Sequence, residues 1–184
     1  MKQKVVALVG GVGGAKVALG LQAVLPADQV TIVANTADDF WHYGLRICPD
    51  LDTVMYTLSG RVDQANGWGI ADDTTRMLDG LQLYGEDVWF RLGDEDLATH
   101  LLRTEMLRSG RRLTEAIAQL SRSMGIQCRV LPMTDEHVAT IVTTVEGQQL
   151  GFQEYFVRFR WQPVVQTLHF EGIGAARISD EVHE

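Results

Sequence analysis

The alternation of apolar and polar residues predicts a βαβ unit at the start of the chain. Residues 4–9 form an apolar, β-branched run that ends at glycines, which is typical of a strand buried on both faces of a parallel sheet. Residues 15–25 carry apolar side chains at helical spacing, and Pro26 ends that pattern. Residues 30–34 are a second apolar run. Such a strand–helix–strand unit almost always has a right-handed crossover.

The rest of the chain divides into a helical middle and a β-rich end. Residues 35–49 show no period, so we expect a loop there. Apolar side chains at helical spacing predict helices at residues 50–58, 74–84, 96–109 and 114–124. Alternation after residue 127 predicts strands at residues 128–131, 140–145, 150–157 and 164–170. The pattern predicts an α/β fold, a Rossmann-like three-layer sandwich with a mainly parallel sheet, added helices and a C-terminal β-rich segment.

Composition agrees with one globular α/β domain over residues 1–184. The chain is 46% hydrophobic and 22% charged, and it is long enough to build a core without disulfides. Cys48 and Cys128 form no CxxC pair, which argues against a zinc site and favours a reducing compartment. The first apolar run is too short for a secretion signal or a membrane span, so we expect a cytoplasmic protein with no membrane partner. The net charge of −8 disfavours nucleic-acid binding.

A glycine loop between the first strand and the first helix is one candidate site. It contains Gly10, Gly11, Gly13 and Gly14, and Lys16 follows it. Glycines let the backbone approach a phosphate closely, and the amino-terminal end of the next helix favours an anion. The loop lacks the third glycine of the dinucleotide fingerprint and the Ser or Thr of a Walker A loop. A tight strand-to-helix turn is the alternative interpretation.

Two acidic segments should lie beside this loop, because the carboxyl ends of neighbouring parallel strands line the ligand crevice. Asp38 and Asp39 follow the second strand, and Asp50 and Asp52 stand at the start of the next predicted helix. On that helix Asp50 and Asp52 would diverge, so one can cap the helix while the other faces the crevice. Either of them, with Asp39, could hold Mg²⁺, a hard cation that takes carboxylate ligands. A solvated turn and plain helix capping are the alternatives.

A further segment, residues 91–100, places Arg91, Asp94, Asp96 and His100 on a turn and the start of a helix. Asp94 or Asp96 could simply cap that helix. His100 is the only histidine of the segment, and a lone histidine on a helix is more often a packed or surface residue than a catalyst. The chain has no GxSxG elbow and no Ser-His-Asp order, so nucleophilic serine chemistry has no support.

Taken together, these motifs resemble those of the 2-phospho-L-lactate transferase family, which builds the deazaflavin coenzyme F(420). The resemblance runs from about residue 5 to residue 184. Its segments are Gly10-Gly-Val-Gly-Gly-Ala-Lys16, Asn35-Thr-Ala-Asp-Asp39-Phe-Trp, Gly44-Leu, Cys48-Pro-Asp-Leu-Asp-Thr53, Trp68-Gly, Leu92-Gly-Asp-Glu-Asp-Leu-Ala-Thr-His100 and Leu131-Pro-Met-Thr-Asp135. The glycine loop alone is a weak signal, whereas the acidic segments together in one chain are a specific one.

The resemblance implies a transferase that uses a guanosine-diphosphate-linked three-carbon acid. Its donor would be lactyl-2-diphospho-5'-guanosine or the enolpyruvyl counterpart. Its acceptor would be the terminal ribityl hydroxyl of 7,8-didemethyl-8-hydroxy-5-deazariboflavin, and GMP would leave with help from Mg²⁺. The family also leads us to expect a homodimer.

The resemblance also implies roles for individual residues. Asp52 and Arg91 match the positions that bind the deazaflavin, and residues 10–14 match the phosphate loop. With the chemistry argued above, the expected site is as follows: catalysis by Asp39 and Asp52; substrate contacts from Asp52, Thr53, Arg91, Asp94 and His100; nucleotide contacts from Gly10, Gly11, Gly13, Gly14, Lys16, Asn35 and Thr36; and Mg²⁺ ligands from Asp39, Asp50 and Asp52.

The chain departs from this family in length. A later stretch with a Pro-Ser-Asn-Pro-like motif, expected to help bind the nucleotide, is absent, so we expect the N-terminal part of a longer family domain with an incomplete guanosine site. Two other classes stay open: a sugar-nucleotide-binding regulatory protein with a similar glycine loop, and a Rossmann dehydrogenase. The dehydrogenase should carry an acidic residue where Asn35 stands. The sequence does not distinguish lactyl from enolpyruvyl donors.

Overall fold

The protein is a mixed α/β chain, and the computed structural model describes its residues 4–184. The strands are β1 (Val5–Val9), β2 (Val30–Ala34), β3 (Phe40–His42), β4 (Leu45–Ile47), β5 (Arg129–Pro132), β6 (Ala139–Thr144), β7 (Gln149–Gly151) and β8 (Val165–Glu171). The helices are α1 (Gly11–Val24), α2 (Pro49–Leu58), α3 (Arg76–Leu83), α4 (Asp94–Arg108), α5 (Leu113–Ser123) and α6 (Asp180–His183). A 3₁₀ turn spans Ala27–Gln29, and a π-helical turn spans Glu154–Arg158.

The central sheet is parallel and has the strand order β1-β2-β5. Val5 pairs with Val30 and Ile32 pairs with Val130, so β2 is bonded on both sides. β1, α1 and β2 form the predicted βαβ unit, and the helices α2 to α5 follow within a few residues of their predicted bounds. The predicted α/β class, parallel sheet and β-rich C-terminal segment are confirmed.

The main core lies on one face of this sheet. Val30, Ile32 and Ala34 alternate along β2 and are at most 2% exposed. They pack in one apolar cluster with buried side chains of α1, α2, α4 and α5, including Leu51 and Ile117. A strand whose alternate side chains reach this cluster is thereby fixed in register, since a slip of one residue would reverse its faces.

The opposite face of β1 is open, and here the prediction of a strand buried on both faces is wrong. Val6 is 61% exposed and Leu8 is 82% exposed. β1 is bonded to β2 alone among the described strands, so it is an edge strand. A continuous apolar run shows that a strand can be buried on both sides, but the neighbouring elements decide whether it is.

The predicted loop at residues 35–49 contains a short hairpin that the periodicity did not predict. β3 and β4 pair antiparallel, with Phe40 opposite Ile47. The turn residues Tyr43 and Gly44 have φ of 49° and 73°, the pair of positive angles that matches the twist of a two-residue hairpin. Strands of three residues are too short to show alternation of apolar and polar side chains, so the sequence pattern did not predict them.

The predicted strand at residues 150–157 is also wrong beyond its first two residues. β7 ends at Gly151, and the chain then turns into the π-helical segment. Phe152 and Phe156, four residues apart, stack with ring centroids 5.6 Å apart and planes 9° from parallel. This i,i+4 pair is a helical contact, and it outweighs the alternating pattern that predicted a strand.

A second sheet forms the C-terminal part, with antiparallel order β7-β6-β8. The predicted turn at residues 146–147 is present, with Gly147 at φ 82° between β6 and β7. The backbone N–H of Thr140 in β6 donates to the carbonyl of Ala37 at 2.6 Å, which ties this sheet to the loop after β2.

Cys48 and Cys128 are buried free thiols. No helix within residues 4–184 is long and apolar enough to cross a bilayer.

Candidate functional site

A cavity of about 480 Å³ opens where the amino-terminal ends of three helices converge. Gly11 comes from the start of α1, Pro49 from the start of α2 and Asp96 from the first turn of α4. Positive ends of helix dipoles therefore face one space, which favours anionic groups. The rest of the wall is rich in aromatic side chains, namely Tyr56, Trp68, Trp89, Phe90, Phe152 and Phe156. Such a wall suits a flat ring system, while the charged residues suit a polar chain attached to it.

Asp52 lies at the back of this cavity in a buried ion pair. The Arg103 guanidinium donates from Nη1 to Asp52 Oδ1 at 2.5 Å and from Nη2 to Asp52 Oδ2 at 3.1 Å. Although burial disfavours the charge of Arg103, the Asp52 carboxylate raises the pKa of that guanidinium above its ordinary value. Two parallel hydrogen bonds fix the plane of the carboxylate as well as its charge.

His100 and Asp96 stand beside Asp52 on α4. His100 is 1% exposed, and its Nε2 lies 3.1 Å from Asp96 Oδ2 without the alignment of a hydrogen bond. Tyr56 donates its hydroxyl to Asp96 Oδ1 at 2.6 Å. Burial opposes the charge of Asp96, yet its contacts with His100 and Tyr56 hold the pKa of that carboxyl below its usual value.

Asp52, Asp96 and His100 together offer a place for a metal ion. One ligand atom from each lies within 4.8 Å of the others, and all three residues are buried. Two buried carboxylates suit a hard divalent cation, and His100 lies beside both of them.

Asp50 turns away from Asp52 and contacts the glycine loop, as the helical spacing predicts. Its Oδ1 accepts the backbone N–H of Gly11 at 2.7 Å, and its Oδ2 accepts the amide of Asn35 at 2.9 Å. Asp50 therefore does not cap α2, whose first residue is preceded by Cys48 with no side-chain cap. A carboxylate bound to Gly11 marks the place where this loop accepts an anion.

A groove of about 570 Å³ runs along the other side of the glycine loop. Gly10 and Asn35 line it with Gly11, Asp38 and Asp50. A side chain at Gly10 would bring its Cβ within 3.2 Å of Asp50 Oδ2, so the close approach depends on glycine. Burial raises the pKa of Asp38, an effect that hydrogen bonds from Thr140 and Asn35 oppose.

Asp39 lies outside the cavity that contains Asp52. It is 2% exposed, and its Oδ2 accepts from Arg46 at 3.3 Å. Arg46 in turn contacts His137 Nδ1 at 3.0 Å. Asp39 borders a separate cavity of about 350 Å³ that also contains Trp41. The structure therefore does not bring the expected metal ligands Asp39, Asp50 and Asp52 to one point.

Several other expected site residues also have separate surroundings. Asp94 accepts the backbone N–H groups of Arg76 and Met77, each at 3.0 Å, and so binds the amino-terminal end of α3. Thr53 and Arg91 do line the cavity with Asp52, and Arg91 lies 5.8 Å from the ring centre of Trp68. The remaining expected nucleotide contacts line neither the cavity nor the groove: Gly13, Gly14, Lys16 and Thr36.

Arg103 and Asp96 both contact site residues in the structure, although the sequence did not predict a site role for either. Asp96, His100 and Arg103 follow one another at i, i+4 and i+7, so they share one face of α4. That spacing is the signal that could have linked them to His100. Trp68 lies in an irregular segment and Phe156 in the short π-helical turn, and no periodicity points to a site in either.

The sequence matches one protein family over nearly its whole length, the 2-phospho-L-lactate transferase CofD family, at residues 5–184. It is 41% identical to a 2-phospho-L-lactate transferase of Methanosarcina barkeri, over 95% of this chain and 56% of the relative. It is 43% identical to a phosphoenolpyruvate transferase of Nocardia farcinica, over 94% of this chain and 53% of the relative. The chain thus spans about half the length of the curated relatives it matches.

Among solved structures, the fold is similar to a upf0052 family protein from Bacillus halodurans. The TM-score is 0.61 at 17% identity, over 99% of this chain and 55% of that structure. At this identity the likeness concerns the fold alone.

Proposed function

Because the chain belongs to the 2-phospho-L-lactate transferase CofD family, we propose that it carries the acceptor and phosphate sites of such a transferase. The enzyme would move a phospholactyl or phosphoenolpyruvyl group from a guanosine-diphosphate-linked donor to the ribityl hydroxyl of 7,8-didemethyl-8-hydroxy-5-deazariboflavin. GMP would be the product released. Relatives named for each of the two donor types match at similar identity, so the proposal covers both.

One observation carries the proposal: the aromatic cavity and the glycine-loop groove share Gly11, Asp38 and Asp50. An acceptor in the cavity and a donor phosphate in the groove would meet at these residues. Phosphoryl transfer needs its reactants close and aligned more than it needs a covalent nucleophile. Two adjoining spaces, one suited to rings and one to an anion, supply that arrangement.

The cavity suits the proposed acceptor. The aromatic wall can cover the deazaflavin ring system, and Asp52 can accept hydrogen bonds from ribityl hydroxyls with its lone pairs that Arg103 leaves free. Arg91 can only donate, so it would contact a ring oxygen or a phosphoryl oxygen. In this proposal Asp52 is the catalytic residue that contacts the acceptor. Asp39 does not reach the acceptor, because it is paired with Arg46 and borders a different cavity.

The groove suits the phosphates of the proposed donor. Backbone N–H groups at the start of α1 would stabilise the charge that develops on the phosphoryl oxygens. Asp50 now accepts one of these N–H groups, so a phosphate would take the place of its carboxylate at Gly11. Gly10 and Asn35 would then contact the phosphate from the groove side.

The family implies Mg²⁺, and the residues at hand fit a divalent cation. Asp52 and Asp96 would supply oxygen ligands, with His100 beside them. When bound, the ion would neutralise charge that builds up on the transferred group. A homodimeric, cytoplasmic enzyme completes the proposal.

Binding measurements on matched variants test this function. Fluorescence titration with the free deazaflavin should show saturable binding to the wild type, and Asp52→Ala should weaken it by about tenfold or more, because a charged hydrogen-bond partner is lost. GDP affinity, measured by calorimetry, should change little. Asp79→Ala, an exposed carboxylate on α3, is the control and should bind as the wild type does.

Two results would contradict the proposal. Absence of saturable deazaflavin binding, together with tight binding of a UDP-sugar, would favour the sugar-nucleotide regulator instead. Full transfer activity in EDTA would exclude the metal ion, while leaving the acceptor site intact.

A further inference from the structure

Arg103 is an unusual residue for the interior of this protein, because it is a charged side chain with 0% exposure. It lies behind Asp52, on the side away from the aromatic cavity, and does not line that cavity. Desolvating a guanidinium is costly, and an apolar side chain of similar volume often packs α-helices together at least as stably. The burial of Arg103 therefore calls for an explanation beyond the packing of α4.

Every part of the guanidinium has an acceptor. Nη1 and Nη2 donate to the two oxygens of Asp52, and Nε and Nη2 donate to the carbonyl of Arg46 at 3.1 and 2.8 Å. Nη2 also lies 2.8 Å from His100 Nδ1, so its two N–H bonds are shared among three neighbours. Arginine has no acceptor atom, so Nδ1 of His100 must be the acceptor in this contact.

We propose that Arg103 is a positioning residue for acceptor binding, which orients Asp52 and His100 toward the cavity without touching the ligand. The anchor is the Arg46 carbonyl in the middle of β4, a backbone atom in a paired strand. From this anchor the planar guanidinium holds the Asp52 carboxylate in one plane. It also holds His100 in the orientation that leaves Nε2 toward Asp96.

The positioning role of Arg103 rests on the proposed acceptor site. It explains how the Asp52 carboxylate of that site is held in one orientation before the acceptor binds. A carboxylate on a free side chain would lose rotational freedom when a ribityl hydroxyl binds to it. Asp52 has already lost that freedom in the folded chain, so less of the binding free energy is spent on ordering. The orientation is also one that a lysine could not reproduce, because a single ammonium group cannot donate in a fixed plane to both oxygens and to the Arg46 carbonyl.

Arg103→Lys is the decisive variant, with Arg108→Lys as its control. Arg108 lies on the same helix, is exposed, and donates to the Gly44 carbonyl at 2.7 Å. We expect Arg103→Lys to weaken deazaflavin binding by about tenfold or more and to leave GDP binding within about twofold. Arg108→Lys should change neither affinity. Thermal melts of both variants report whether the fold is retained.

A double-mutant cycle shows whether Arg103 acts through Asp52. Once Asp52→Ala has removed the carboxylate, Arg103→Lys should weaken deazaflavin binding by much less than it does in the wild type. Equal losses in both backgrounds would overturn the proposal, as would a lowered melting temperature with unchanged deazaflavin affinity.

Crystal structures of the wild type and of Arg103→Lys make the inference separable from the proposed function. The Asp52 carboxylate should leave the plane that it has in the wild type. If wild type binds no deazaflavin but this rotation is seen, the acceptor assignment fails and the positioning role of Arg103 stands. If the carboxylate keeps its place, the positioning role fails whatever the wild type binds.

Discussion

Two neighbouring glycines of the first loop have different structural duties. A Cβ on Gly14 would lie 2.8 Å from Val9 Cβ and 3.1 Å from Val9 Cα, so α1 packs on β1 through the missing side chain. A Cβ on Gly13 would meet nothing within 4 Å. The close packing of the helix on the strand explains Gly14 without any ligand, whereas Gly13 has no packing reason to be glycine.

We therefore expect Gly14→Ala to lower the free energy of unfolding by about 1–3 kcal/mol through overpacking. Gly13→Ala should instead raise that free energy by up to about 1 kcal/mol, since alanine favours a helix. Urea unfolding of both variants compares them directly. Equal stabilities would show that the contact with Val9 relaxes at no cost. Weakened GDP binding by Gly13→Ala alone would show that a phosphate approaches this residue.

The buried carboxyl of Asp39 makes the stability of the fold depend on pH. Burial raises the pKa of Asp39 from 3.8 to about 7, although Arg46 opposes the shift. Between about pH 4 and 7 the folded chain then binds the proton more tightly than the unfolded chain does. This group makes the fold less stable as the pH rises through that range, and the loss is complete above pH 7.

Asp39→Asn should remove this contribution, because an amide does not titrate. Melting temperatures of the variant and the wild type, measured from pH 4.5 to 8, should diverge with pH, with the wild type losing more stability toward pH 7. A constant difference across the range would mean that Asp39 is ionised throughout and that Arg46 outweighs burial.

Two helices of the middle segment exchange their capping side chains. Asp73, before α3, accepts the N–H groups of Glu95 and Asp96 at the start of α4, at 2.8 and 3.0 Å. Asp94, in the first turn of α4, accepts N–H groups of Arg76 and Met77 at the start of α3. Gly93 permits the approach, because a Cβ added at this position would clash with Asp73 Oδ2. The exchange ties the start of α3 to the start of α4, whose Asp96 lines the cavity.

Asp94→Ala should lower the free energy of unfolding by about 1 kcal/mol, the usual worth of a helix cap, and Asp94→Asn should keep most of it. Chemical denaturation measures both variants. Deazaflavin binding should stay near that of the wild type, since the carboxylate is engaged by α3. A large loss of deazaflavin affinity at unchanged stability would instead return Asp94 to the substrate site, where the sequence motif placed it.

Across the whole molecule, the two faces of the central sheet differ in their contribution to stability. Ile32 in β2 is 0% exposed and packs under α1 and α2, whereas Leu8 in β1 is 82% exposed on the other face. The helices α1, α2 and α5 all contribute to the cluster on the first face. Burial of apolar surface therefore stabilises β1 mainly from one side, although Val33 of β2 and Leu131 of β5, on the other face, are only 4% and 2% exposed.

Truncation of these two apolar side chains should show this asymmetry. Ile32→Ala should lower the free energy of unfolding by about 2–5 kcal/mol, through lost burial and a cavity. Leu8→Ala should change it by no more than about 0.5 kcal/mol, because most of that side chain already contacts water. Urea unfolding of the 184-residue chain provides both values. A large loss on Leu8→Ala would show that the open face is covered in solution.

Local pattern accounts for much of this protein. The βαβ unit, the helices of the middle segment and the divergence of Asp50 from Asp52 all follow from side chains within a few residues of one another. The motifs also identified the family, because each motif is a short run of residue types at the fixed spacing that a particular chemistry requires. In each of these cases the interaction that decides the outcome is local in sequence.

Contacts between distant residues decided the rest. Arg103 meets Asp52 only because α4 packs beside α2, and Asp39 is drawn to Arg46 by a hairpin too short to show a period. Asp94 begins α4, as the sequence motif predicts, yet its carboxylate accepts a hydrogen bond from the backbone of α3. The exposure of β1 likewise depends on which elements flank the sheet. A charge or a lone pair in the interior takes whichever partner the packed chain brings within hydrogen-bonding distance. When the two partners lie on different elements, no spacing along the sequence encodes that choice.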